Sequence, residues 1–258
     1  MKINIFFLAI VAFSVTRLNA QTFISKAKIE YEVKSDIRKT TLAGDNSWTQ
    51  MLKDQLPRFK TAYYTLTFAD NKSLYQFDHW DLTAGKLPDF IKNGDDENQY
   101  FYNYDRGIYE MQKSIEGSNV NIKDSIPKLN WKVVNENRVI AGFNCRKAVA
   151  VLLDSVYVFA FYTEEITIPG GPCSFNGLPG TILGVTVPRL YTSWIATKVE
   201  VNGVDVKSIK SVQAKKDISI SELKALIAER LKDWYSDDPT QNKEIQERKA
   251  IFTWQALL

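Results

Sequence analysis

Histidine is almost missing from this sequence: His79 stands alone, with two cysteines and three methionines. Those scarcities exclude much metal chemistry. One histidine and two widely spaced cysteines do not make the paired ligand spacing of a zinc site. Beyond the first residue only Met51 and Met111 remain to serve a soft-metal site. There is no Gly-x-Ser-x-Gly turn to strain a serine into a nucleophile, and neither a phosphate-binding Gly-Lys loop nor a dinucleotide fingerprint. His79, flanked by Asp78, Trp80 and Asp81, reads as solvated or structural. The acidic turn Gly94-Asp95-Asp96-Glu97 lacks the alternate oxygen ligands of a calcium loop and reads as a solvated turn. No catalytic residue, metal ligand or cofactor is therefore assigned, and a hydrolase or metal-dependent enzyme ranks last among the expected functions.

Long runs of one charge are missing too, which argues against a nucleic-acid partner. Long apolar runs are limited to Ile3–Phe13, preceded by Lys2 and followed by Leu18-Asn19-Ala20. That arrangement predicts a signal peptide over residues 1–20, with Gln21 first in the mature chain. The run is too short to span a membrane, and no cysteine follows it to accept a lipid. Removing the segment takes away Lys2, Arg17 and no acid, so the formal charge falls from +3 to +1. The expectation is an exported, periplasmic protein without a transmembrane segment, soluble or peripheral to the outer membrane, with residues 21–258 forming one domain. In that compartment Cys145 and Cys173 are expected to form a disulfide; the other reading packs Cys145 as a small buried apolar group.

Period-two alternation is abundant. Ala27, Ile29, Tyr31 and Val33 alternate with Lys28, Glu30, Glu32 and Lys34; Ala62, Tyr64, Leu66 and Phe68 do the same among polar neighbours. Asp70-Asn71 and Asp105-Arg106-Gly107 mark turns into further strands, and a hairpin is expected to join 129–134 to 138–143 across Asn135-Glu136-Asn137. Strands continue through Cys145 to Val151, return over 156–166, and follow at 181–187, 193–201 and 204–214. About ten strands with short turns predict a mainly β fold, an antiparallel meander forming a curved, half-open barrel. A short helix is expected over 46–55. Ser219 and Glu222 form a capping box ahead of Leu223, Leu226, Ile227, Leu231 and Trp234, predicting a C-terminal helix, with a second over 242–254.

The unusual segment lies at 168–184, where Pro169-Gly170 and Pro179-Gly180 each suit a type II turn. Two rigid turns bracket the stretch that holds Gly171, Pro172, Cys173, Phe175, Gly177 and Leu178. One reading presents Phe175 and Leu178 to a partner protein; the other is a sheet corner with Leu178 tucked into the core. The aromatic residues Tyr100, Phe101, Tyr102 and Tyr104 either fill a core or line a groove for an apolar ligand.

The run Gly177-Leu178-Pro179-Gly180-Thr181-Ile182-Leu183 resembles the signature of the GLPGLI family of exported bacterial proteins, with Thr181 where the name motif has Leu. Trp131, the stretch Ile140–Ala148, Phe161-Tyr162-Thr163 and Gly171-Pro172 extend the resemblance over about residues 128–190; the family's tryptophan near Phe161 is not matched. The resemblance implies a periplasmic protein associated with TonB-dependent outer-membrane receptors and implies no particular chemistry. The layout is also similar to the lipoprotein-carrier half-barrel. The expected function is a non-enzymatic accessory protein that binds an outer-membrane or other envelope protein through Pro169–Gly180. The alternative is a carrier or sensor of a lipid or other apolar ligand in the half-barrel groove.

Overall fold

The computed structural model describes residues 24–258 apart from 45, 84, 154, 213–215 and 236–237; the expected signal peptide lies outside the described residues. One antiparallel sheet of eleven strands organises the chain. The first six are β1 (Ala27–Asp36), β2 (Phe59–Ala69), β3 (Lys72–Trp80), β4 (Gln99–Asn103), β5 (Ile108–Ile115) and β6 (Ser118–Ser125). The other five are β7 (Lys132–Ile140), β8 (Phe143–Leu152), β9 (Val156–Thr163), β10 (Thr181–Val187) and β11 (Thr192–Glu200).

Their spatial order is β6-β5-β4-β3-β2-β1-β11-β10-β9-β8-β7. Two meanders are thus joined by the pairing of the first strand with the last. That order forces curvature. Eleven strands laid flat would separate the two edges by about 48 Å, whereas the segment 126–131 between β6 and β7 can span only about 25 Å. The sheet therefore curls until its edges approach, and since β6 and β7 do not pair, the barrel stays open.

Turn chemistry sets the register. Asp70-Asn71, Glu116-Gly117 and Ala141-Gly142 all have positive φ at both positions, the geometry whose twist matches that of flanking strands. The hairpin expected across Asn135–Asn137 is corrected accordingly. β7 runs straight through that stretch with a register shift between Val133 and Asn137, and the chain reverses at Ala141-Gly142. Its asparagines and glutamate serve an irregularity, with Glu136 held by Lys147 and Arg138. The strand expected over 204–214 is also corrected: its described part is loop with one 3-10 turn at Val206–Ser208, because the Asp205 side chain accepts from the Lys207 amide and offers the backbone a local alternative. β6 was not foreseen, for its outer positions are polar and only Val120 and Ile122 mark its inner face.

Helices form over the three stretches where they are expected, with one further turn at Asp89–Lys92 that was not. α1 (Ser47–Gln55) starts at Asn46, whose side chain accepts from the Thr49 amide. A single turn, α2 (Asp89–Lys92), joins it over a small core of Ile37, Leu42, Leu52, Leu87 and Ile91. α3 (Ile220–Arg230) begins at the Ser219/Glu222 capping box. It is followed by α4 (Pro239–Leu257), which lays Trp254 and Ala256 into the main core. Leu223, Ile227 and Leu231 are buried, while Leu226 and Trp234 remain substantially exposed.

Candidate functional site

The concave face of the sheet is paved with tyrosine. Tyr31 on β1 pairs with Tyr64 on β2, Tyr75 on β3 with Tyr100 on β4, and Tyr102 on β4 with Tyr109 on β5. All six are buried. Their rings form two groups: Tyr64 stacks on Tyr75 at 5.1 Å and Tyr75 meets Tyr31 and Tyr100 edge-on at 6.0 Å each, while Tyr102 stacks on Tyr109 at 5.7 Å. Burial away from water pushes these phenols above their ordinary value, so they stand as neutral donors.

The segment between β9 and β10 fills the trough. Tyr31 donates to the Ile182 carbonyl at 2.7 Å, Tyr102 to that of Cys173 at 3.1 Å, and Trp131 Nε1 to that of Asn176 at 2.7 Å. Thr181 is fully buried, and its hydroxyl donates to the Ile168 carbonyl at 2.8 Å. That contact ties the end of the segment to its beginning. Two glycines permit the packing. A Cβ on Gly170 would lie 2.3 Å from the Tyr104 hydroxyl, and one on Gly180, at φ +146°, would lie 2.1 Å from the Thr163 carbonyl oxygen.

Phe175 and Leu178 therefore point inward, at 0% and 5% exposure, and Phe175 packs edge-on against Trp194 at 5.7 Å. The reading that presents them to a partner is corrected: apolar side chains that can reach a trough of aromatic rings gain more there than in water. Gly170, Gly171, Pro172 and Gly180 are buried with them, Pro169 is half-buried, and only Gly177 and Pro179 are exposed. Cys145 and Cys173 are brought into the same core as two free thiols, without the expected disulfide. Cys145 Sγ lies 3.5 Å from the Phe143 carbonyl oxygen, whereas Cys173 faces the hydroxyls of Tyr75 and Tyr100.

What the segment leaves unfilled is a chamber of about 360 Å³ between the tyrosines and α4. Tyr64, Tyr75, Tyr100, Lys113 and Cys173 form its buried floor; Leu190, Trp194, Phe252 and Ala256 line its apolar side; Thr41, Asn93, Glu116 and Gln255 stand exposed at its mouth. Two acids reach it. The acidic turn read as solvated turns Asp95 inward, where Lys60 Nζ donates to it at 2.7 Å and Tyr64 donates to its carbonyl at 2.8 Å. Glu116 is held by Arg230 at 2.6 Å.

Lys113 is the residue that sequence reasoning missed. It occupies the inward parity of β5 with Tyr109, Met111 and Ile115, so the alternation that identified the strand also placed a cation on its buried face. Lys60 follows the same rule ahead of Ala62 and Tyr64. His79 belongs elsewhere: it is exposed on the opposite face, stacked on Tyr63 at 4.6 Å, with Nδ1 2.7 Å from Asp78. Among the described residues no three His, Cys, Asp or Glu side chains gather as a metal site, and no helix is long and apolar enough to cross a membrane.

The chain matches no family model and no curated relative. It is similar to two solved structures of PNGF-II, in the P21 and C2 space groups, with TM-scores of 0.49 and 0.48 and 16% identity in each case. The likeness covers 78% of this chain and 33% or 32% of the PNGF-II chain, so this chain spans about a third of the length of the structures it matches.

Proposed function

We propose that this chain is a carrier or sensor that holds a small ligand with an apolar body in the chamber between the tyrosine-paved sheet and α4. The chamber itself carries this reading: a cavity of about 360 Å³, apolar along one side, with a few polar groups at its floor. Small-molecule sites share that combination, at volumes of about 300–1,000 Å³. The reading assigns binding and no catalysis. It keeps the proposals of export to the periplasm and of kinship with the GLPGLI family, which rest on residues 1–20 and on the Gly177–Leu183 run. Recognition of an envelope protein is not needed to account for the segment 169–180, whose large side chains serve the core.

The test is saturable binding of an environment-sensitive apolar dye, followed by displacement with 1-decanol. Wild-type protein binds the dye at one site, and Ala256→Phe, which fills the chamber from α4, abolishes binding while leaving the circular dichroism spectrum intact. A dye signal that does not saturate, or that survives the filling substitution, would sink the proposal.

A further inference from the structure

Both carboxylates that reach the chamber already hold cations, Asp95 with Lys60 and Glu116 with Arg230. Lys113 does not share in this pairing. Only 8% exposed, it has no carboxylate partner among the described residues, and its ammonium lies 6.0 Å from the Tyr100 ring centroid. Burial pushes it below its ordinary value of 10.5. In the same cavity the Tyr75 hydroxyl, on a side chain 1% exposed, has no hydrogen-bond partner among the described residues and faces the Cys173 sulfur, a weak acceptor at best. A buried cation without an anion and a buried donor without an acceptor each cost stability. Here both line one cavity.

We infer that the chamber's ligand is an amphipathic carboxylic acid, its carboxylate held by Lys113 Nζ and the Tyr75 hydroxyl and its apolar body laid against Leu190, Trp194 and Phe252. The inference rests on the chamber being a ligand site and names the chemistry of its occupant. A single negative charge matches the single unpaired positive one. A phosphate dianion would bring a second charge to a chamber that Asp95 already reaches, with no further cation among the described lining residues to meet it. A neutral alcohol would leave Lys113 buried and unpaired.

Isothermal titration of the full chain with decanoate, 1-decanol and decyl phosphate separates these cases. Wild-type protein binds decanoate at least about tenfold more tightly than decanol, the scale of one charge-assisted hydrogen bond, and more tightly than decyl phosphate. Lys113→Met removes the preference for the acid while retaining decanol, and Tyr75→Phe reduces it. Lys113→Gln, which keeps a polar tip, carries the same comparison if the methionine variant does not fold. Equal affinity of wild-type protein for decanoate and decanol, a preference that survives the loss of Lys113, or tighter binding of decyl phosphate overturns the acid assignment and leaves the chamber standing. Binding of none of the three overturns the chamber reading and this inference together.

Discussion

The Tyr31 hydroxyl donates to the Ile182 carbonyl at 2.7 Å across 151 positions of sequence. It reaches from the middle of β1 to the point where the buried segment re-enters the sheet as β10. Tyr31→Phe removes the donor and leaves a buried carbonyl unmet, at a cost of about 1–3 kcal/mol. Urea unfolding should show a lower midpoint with an unchanged slope; an unchanged midpoint would mean that the carbonyl finds another donor.

Gly180 is a harder constraint. With φ at +146° and the Thr163 carbonyl oxygen 2.1 Å from any added Cβ, Gly180→Ala forces backbone to move against backbone. The expected loss is about 3 kcal/mol or more, read as a large fall in melting temperature. Gly107→Ala, where nothing lies within 4 Å of the added Cβ although φ is +64°, should cost about 1 kcal/mol.

Leu178 and Pro179 are neighbours with opposite fates, one buried and one exposed. Leu178→Ala should destabilise by about 2–5 kcal/mol, whereas Pro179→Ala should cost under about 1 kcal/mol. Chemical denaturation of the two variants checks this. Equal, small effects would return the segment to the role of a presented loop.

The cysteines should behave as inert thiols. Burial pushes Cys173 from 9.0 up to about 12 and Cys145 up to about 11, so thiolate is scarce in the folded protein and iodoacetamide at pH 8 should label neither until denaturant is added. Mass should not change on reduction. The sign of the linked stability follows: the folded thiols keep protons that the unfolded ones release, so stability is lost as pH rises above about 9 toward 11–12. The double Cys→Ala variant should lose less stability over that alkaline range; identical pH profiles would contradict the assignment.

Lys113 should be a liability to the unliganded fold. Lys113→Met replaces a buried ammonium that has no carboxylate partner among the described residues by an apolar side chain of similar length, and the variant should be about 1–4 kcal/mol more stable. Thermal melting without ligand measures it. A less stable variant would mean that the ammonium has an anion in the protein after all.

Much of the architecture was legible because strand and cap signals are local. The alternation around Tyr31 and Tyr64, the short helix over 46–55 and the Ser219/Glu222 box appear in the structure where the residues predict them. The errors have local causes too. Asn135-Glu136-Asn137 carries turn residues but lies within β7, because Ala141-Gly142 supplies the two left-handed positions a tight hairpin needs. β6 escaped notice because an edge strand packed on one side only has little apolar pattern to show.

The sequence by itself determined most of the strands and their turns, the inward parity of those strands and the capped start of α3, since each depends on a backbone period or on a contact within a few residues. Only the tertiary structure decided that β1 pairs with β11, that this pairing curls the sheet, and that the rigid segment 169–180 turns into the trough. It also decided that Lys113 ends on a chamber floor with no carboxylate partner among the described residues. The reason is physical: alternation separates two faces of a strand but does not say which becomes concave, and burial belongs to the face that the closing pair and α4 enclose.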